Sequence, residues 1–254
     1  MANFRFSNIF NIKFTKRRGF GVLGGPDLGD RGAREGDIYP YYEKMHAISE
    51  SSFHHLLGGD WEYIFLSADV EDVNQTFRDQ FFEVYDIWKK EPCNILYCGP
   101  DVQVIQPVEI FGHHKHFLMW NYTDPRSYKQ FPHFLNADIR YYPAEMTQEC
   151  WDIGLKQAAD INIWNDDQLM YNEMVWSQGL TPEQVINPKL AFQGFMMPGN
   201  HEYAEKWNGC KLQDVNIIHW HGSRGAAIKL AAMQAVQDRI GIPHAVDLIS
   251  LRSK

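Results

Sequence analysis

The 254-residue sequence predicts an α/β fold: a single domain over 1–254, with a mostly parallel central sheet flanked by helices. Three observations carry that expectation. Short apolar runs of strand length alternate with longer segments whose apolar residues recur every three to four positions. "WEYIFLSA" (61–68), the segment 72–90 and "CNILYC" form a strand, helix, strand unit of crossover length, the connection that builds parallel sheets. No internal repeat, low-complexity tract or linker divides the chain, whose length suits one α/β domain.

Taken in order, the opening "NFRFSNIFNIKFTKRR" alternates, with Phe10, Ile12 and Phe14 on one side, as a half-buried strand does. The apolar run "GFGVLGG" (19–25) passes into a polar, glycine-rich loop through Asp37. Residues 39–57 read as a helix with Tyr42, Met45, His46, Ser49 and Phe53 on one face. In 72–90, Val73, Phe77, Phe81, Val84, Tyr85 and Trp88 keep helical spacing, and Pro92 closes the helix. "HFLMW" (116–120), "ADIRYYPA" (137–144) and "NIIHWHG" (216–222) read as strands, and 146–159 and 166–178 as helices. The alanine-rich "GAAIKLAAMQAVQDRIGIP" is a long helix stopped by Gly241 and Pro243.

Composition narrows the function. The chain is 44% hydrophobic and 22% charged, as globular proteins are, and its net charge of −8 argues against a general nucleic-acid or anionic-membrane surface despite the local patch Lys13, Lys16, Arg17 and Arg18. Cys93, Cys98, Cys150 and Cys210 form no CxxC pair, so free thiols in a reducing compartment are expected. The N-terminal segment lacks the continuous apolar stretch of a signal peptide, and no window is long and apolar enough for a membrane span. A soluble cytoplasmic protein is the expectation.

Several segments carry groups that chemistry uses. "GFGVLG" (19–24) matches GxGxxG, but a dinucleotide turn needs a helix N-terminus directly after it. "GPDLGDRGAREG" follows instead, so the segment reads as a glycine-tolerant strand end. "NILYCGPDVQV" (94–104) is a strand that stops at Gly99-Pro100-Asp101 and then resumes, at the carboxyl edge where open α/β sheets bind ligands. There Asp101 faces a ligand or divalent cation, or else bonds its own backbone in a turn; this stretch leaves both readings open. "PHFLNADIRYYP" sets Asn136 and Asp138 at the mouth of another strand. "NIWNDDQLMYNEMVW" sets Asp166, Asp167, Gln168 and Asn172 at a helix start, where Asp166 reads as a cap. "IIHWHGSRG" supplies His219 and His221 on one side of a strand, then Gly222 and Arg224 at the mouth of a helix. An imidazole there suits a metal, and an arginine beside backbone N–H groups suits a phosphate.

The order of these stations resembles nucleotide-sugar glycosyltransferases of the Rossmann-like GT-A fold, in particular the glycogenin-like and galactosyltransferase-like group. Their stations are Asp-x-Asp, Asn-x-Gly, Asp-Gln and His-x-x-Gly-x-x-Lys. The resemblance covers about residues 60 to 240. It puts Asp101 at the second Asp of the Asp-x-Asp station, with Gly99 in place of the first. It puts Asn136 and Asp138 on the donor-sugar side, and Asp167 and Gln168 facing the transferred sugar as catalytic residues. His219 and Gly222 match the last station, where Gly225 replaces the lysine and Arg224 is expected to take over its contact with the diphosphate.

The resemblance implies transfer of a sugar from a nucleotide-diphosphate sugar, UDP- rather than GDP-linked, to an acceptor hydroxyl, with retention of configuration. Donor binding falls to Asp101, Asn136, Asp138, Gly222 and Arg224, and Mn2+ or Mg2+ to Asp101 and His219. Gly99 removes one carboxylate of that metal site, so diphosphate oxygens complete it. The acceptor is a glycan, protein, lipid or modified nucleobase. Alternatives are a nucleotidyltransferase or nucleotide-sugar hydrolase on a similar sheet, with Arg31 and Arg34 in its glycine-rich loop, or a non-catalytic carbohydrate-binding relative. The histidines of "FGHHKHF" (111–117) diverge along an extended chain and read as a solvated loop, and His54-His55 as a helix end. Trp164, Trp207 and Trp220 lie near the expected cleft, where they could stack on a sugar or base.

Overall fold

The computed structural model describes residues 19–24, 39–56, 61–66, 73–107, 119–120, 131, 135–159, 167–195, 201–221 and 226–241. The expected strand at Phe10 to Phe14, the basic patch at Lys13 to Arg18, the glycine-rich loop, the 111–117 histidines, Trp164 and Asp166 lie outside these residues. Along the chain come β1 (Gly19–Gly24), α1 (Tyr39–Leu56), β2 (Trp61–Leu66), α2 (Val73–Lys90), β3 (Asn94–Cys98), β4 (Val102–Val104), β5 (Met119–Trp120), β6 (Leu135–Asn136) and β7 (Ile139–Tyr142). Then follow α3 (Gln148–Ala159), α4 (Asp167–Trp176), α5 (Pro182–Val185), β8 (Phe192–Phe195), α6 (His201–Asn208), β9 (Ile217–His221) and α7 (Ala226–Ile240).

The largest sheet runs β2-β1-β3-β7. β1 lies between β2 and β3 and is parallel to both, the crossovers being supplied by the segments that carry α1 and α2. β7 runs antiparallel to β3, with Cys98 opposite Ile139. A second sheet, β4-β9-β8, pairs β4 antiparallel and β8 parallel to β9, and β5 pairs antiparallel with β6. The expected mostly parallel sheet is therefore corrected to a mixed one, parallel within β2-β1-β3 and antiparallel at β7. An apolar run shows that a strand is buried, but carries no record of the direction of its partner. The GxGxxG match is β1 itself, in register with both neighbours.

β3 is covered on both faces, which is why it reads as a continuous apolar run. Ile95 and Tyr97 join an aromatic core with Phe81, Tyr85 and Trp88 of α2 and Trp151 of α3, while Leu96 and Cys98 join Phe53, Val102, Val104, Ile139 and Ile217. Trp151 is the hub of the first core, with ring centroids 5.1 Å from Tyr142, 5.4 Å from Tyr85 and Trp88, and 5.7 Å from Phe81. α1 packs against β4, an edge strand whose free groups find side-chain partners: Ser49 Oγ donates to Val102 O, and Val104 N–H donates to Ser52 Oγ at 3.1 Å.

Close approach of α2, α3 and α4 depends on one small residue. A Cβ on Gly154 would collide with Met174 Sδ and lie 2.6 Å from Phe81 Cζ. Gly154→Ala is expected to destabilise the protein by about 1–3 kcal/mol through overpacking, read from urea unfolding midpoints at unchanged slope. An unchanged midpoint would show that the three helices have slack there.

Candidate active site

The site forms where β3 ends. Gly99 N–H donates to Asp138 O at 2.8 Å, and Val102 N–H closes a turn onto Gly99 O at 3.2 Å, with Pro100 at the position whose φ proline presets. Asp101 is the third residue of that turn, and its own carbonyl accepts from Trp220 N–H at 2.9 Å. The turn is thereby bonded to the β6–β7 link on one side and to β9 on the other. Its carboxylate points into the space where these elements meet.

There Asp101, Asp138 and His219 each offer a ligand atom, all within 4.8 Å of one another. His219 Nε2 lies 3.4 Å from Asp101 Oδ1 and 3.3 Å from Asp138 Oδ2. These separations are long for strong charge-assisted hydrogen bonds, but close to the roughly 3 Å between adjacent donors around an octahedral ion bonded at about 2.1 Å. The Asp101 and His219 side chains are 3% exposed and that of Asp138 is 29%, so among the three it is Asp138 that meets solvent. Lys229 of α7 completes the group, its Nζ 2.8 Å from Asp101 Oδ2.

Burial works against a charged Asp101, but Lys229 and His219 overcome it and hold the carboxyl well below its usual range. Burial likewise opposes the His219 imidazolium, yet Asp138 and Asp101 outweigh it and raise its pKa. Cys98, beneath the turn, is pushed up by burial and then by the two carboxylates, which keeps it a neutral thiol.

Asn136 accepts from Asp138 N–H at 2.9 Å through its side-chain oxygen, fixing the turn that carries Asp138, and its amide reaches Gln168 Oε1 at 3.5 Å. Asn172 docks α4 on β6 by two bonds of 2.8 Å, to Leu135 N–H and Leu135 O. That clamp brings Gln168 and Asp167 to the Asp138 side. Asp167 is buried in an ion pair with Arg140, whose guanidinium also lies 4.7 Å from the Tyr97 ring centroid.

Asp101, Asp138 and His219 are thus brought into one cluster, Asn136 and Gln168 contact each other beside it, and Asp167 is held by Arg140. Gly222 and Arg224 lie outside the described residues. Sequence reasoning missed Lys229 and Arg140. A signal existed for the first: Lys229, Met233 and Gln237 are spaced by four and all buried, so a lysine sits on the inward stripe of the helix. For Arg140 the signal was one cation inside the aromatic strand "IRYY".

The shifts fix how metal-free stability depends on pH. His219, raised in the folded state, contributes fully below its ordinary value of 6.5 and loses that contribution as pH rises through the folded value. Asp101, depressed, contributes above its ordinary 3.8 and loses that contribution as pH falls through the folded value. As pH rises above 6.5, the melting temperature of the parent protein in EDTA is expected to fall more steeply than that of His219→Gln. Parallel profiles would contradict the charged cluster.

No protein-family model and no curated protein sequence matches the chain. Solved structures do. A glycosyltransferase involved in the glycosylation of the major capsid of PBCV-1 superposes with a TM-score of 0.52 at 12% identity, over 85% of this chain and 99% of that one. The WbbM bifunctional glycosyltransferase, in its apo structure, gives 0.53 at 8% identity over 92% of this chain and 53% of that one, so the chain spans about half its length. The fold of this chain is that of these glycosyltransferases, an α/β scaffold broadly of the GT-A kind.

Proposed function

We propose that the chain is a glycosyltransferase of the glycogenin-like and galactosyltransferase-like group, moving a sugar with retention from a UDP-sugar to an acceptor hydroxyl. The observation that carries this reading is the cluster of Asp101, Asp138 and His219 at the carboxyl edge of β3, where such a fold presents its ligand site. The donor set fits a divalent cation, and its mixture of carboxylate oxygen and imidazole nitrogen suits manganese better than magnesium, which favours oxygen alone. When bound, a cation there supplies charge stabilisation to the departing diphosphate.

The chain's own residues do the rest. Lys229 balances Asp101 and keeps the cluster from carrying two uncompensated carboxylates. Arg140 pairs with Asp167 and fixes the position of its carboxylate, which would face an anomeric carbon as positive character develops. Asn136 and Gln168 offer amides for sugar hydroxyls beside it. In the transfer, the bond from the anomeric carbon to the diphosphate oxygen breaks with its electron pair going to the diphosphate. The acceptor oxygen bonds to that carbon, and its proton passes to the departing diphosphate.

A second reading, a carbohydrate- or nucleotide-binding relative without turnover, is favoured by one observation: Lys229 and His219 already compensate the two carboxylates without a cation. A panel of UDP-, GDP-, CMP- and dTDP-sugars, each with Mn2+, Mg2+ or EDTA, separates the two by nucleotide release and thermal shift. The transferase reading expects stabilisation and slow release with a UDP-sugar, stronger with Mn2+, and Asp167→Asn is expected to lose about 100-fold or more of the turnover while still binding nucleotide. Binding without release by the parent protein would favour the second reading, and no binding of any sugar nucleotide would remove both.

A further inference from the structure

β8 was not foreseen in the sequence, and it carries a residue that its packing does not explain. Gln193 is 1% exposed, yet neither its Oε1 nor its Nε2 has a hydrogen-bond partner among the described residues. Its main chain is satisfied: Asn208 of α6 accepts from Gln193 N–H and donates to Gln193 O, both at 3.0 Å. A buried amide with both ends unpaired is costly, and native structures rarely keep one without a use.

Strand register shows where the side chain goes. Gln193 is the direct partner of His219 across the parallel β8–β9 pair, so the two project from the same face. The opposite face is fixed independently: a Cβ on Gly194 would meet the side chains of Ile218 and Trp220, which pack with Phe192 in the core against α7. Gln193 therefore stands beside His219, one strand spacing of about 4.8 Å away, on the side of the carboxylate cluster.

His219 turns Nε2 to Asp101 and Asp138, which leaves Nδ1 on the near half of the ring. Nδ1 is two bonds from Cβ, and the glutamine oxygen is three bonds from its own Cβ. Side chains that leave adjacent strands together thus give the amide the length to reach Nδ1. An imidazole that gives its Nε2 lone pair to a cation must carry its proton on Nδ1, and the imidazolium carries one there too. Both states ask for an acceptor at that point.

We propose that Gln193 is a positioning residue that accepts the Nδ1–H of His219 through Oε1, fixing the tautomer and ring plane in which Nε2 serves the cation cluster. The bond is not formed in the structure, where neither amide atom of Gln193 has a partner among the described residues, and it requires the side chain to rotate towards the ring. The inference rests on the cation-binding reading of the cluster, and deepens it by naming a residue outside the motif stations.

The test uses the full chain, with Mn2+ as the probe. Free Mn2+ is measured by electron paramagnetic resonance during titration of the parent, Gln193→Leu and Gln193→Glu proteins, with the melting temperature of each in EDTA as a control for folding. Gln193→Leu is expected to weaken Mn2+ binding by about tenfold or more while its metal-free form still melts in one cooperative transition, and Gln193→Glu, which keeps the acceptor, is expected to bind at least as tightly as the parent protein. Nitrogen-15 spectra of the His219 ring in metal-free protein give a second readout: a hydrogen-bonded Nδ1–H in the parent, lost in Gln193→Leu. Equal Mn2+ affinity in the parent and Gln193→Leu proteins, or an unchanged Nδ1 signal, overturns the role of Gln193. Failure of the parent itself to bind Mn2+ overturns the cation reading beneath it.

Discussion

Asp101 holds a negative charge where only 2% of the residue is exposed, and the elements around it are arranged so that it can. An ionised carboxylate taken out of water is costly unless it is paired and hydrogen-bonded. Lys229 at 2.8 Å and His219 at 3.4 Å meet that requirement from α7 and β9. The same contacts tie the long C-terminal helix to a turn 128 residues earlier in the chain. Charge compensation here is a tertiary restraint as well as a property of the site.

The break in the strand after Cys98 follows from this arrangement. The turn at Gly99 to Val102 joins the two larger sheets through backbone bonds to Asp138 and Trp220. Ser49 and Ser52 of α1 hold the outer edge of β4 just beyond it. Had the run continued straight, Asp101 would have stayed in the largest sheet, away from His219. Gly99 opens the turn without a side chain, and a Cβ built there would lie 3.4 Å from Asp101 Oδ1 and 3.5 Å from Asp138 Oδ1. The second carboxylate of the cluster thus arrives from the β6–β7 link, beside the position the loop leaves empty of side chain.

How much of this the sequence discloses depends on whether the determining contacts are local. α2 and β3 are legible because periodicity and continuous apolarity are local consequences of facing a core on one side or on both. β8 is not: "FQGF" has a polar residue and a glycine at its centre, and it is a strand because Gly194 leaves room for Ile218 and Trp220. Asp101 and His219 stand out in sequence as polar groups at or within apolar runs. Asp138 stands out too, but its place beside His219 rather than in a separate donor contact is set by the bond from Gly99 N–H to Asp138 O, a meeting of distant segments. Lys229 and Arg140 escape notice because their partners, Asp101 and Asp167, are far off in the chain.

The proposed cation site is shared by three side chains, from the turn after β3, the β6–β7 link and the middle of β9. It is tested most directly by crystals grown with Mn2+ and a nucleoside diphosphate, with data collected near the manganese absorption edge. The account predicts an anomalous peak at bonding distance from Asp101, Asp138 and His219, absent from crystals grown in EDTA. A nucleotide bound with no peak there, and with Lys229 still against Asp101, would contradict it and mark a site that works by protein charge alone.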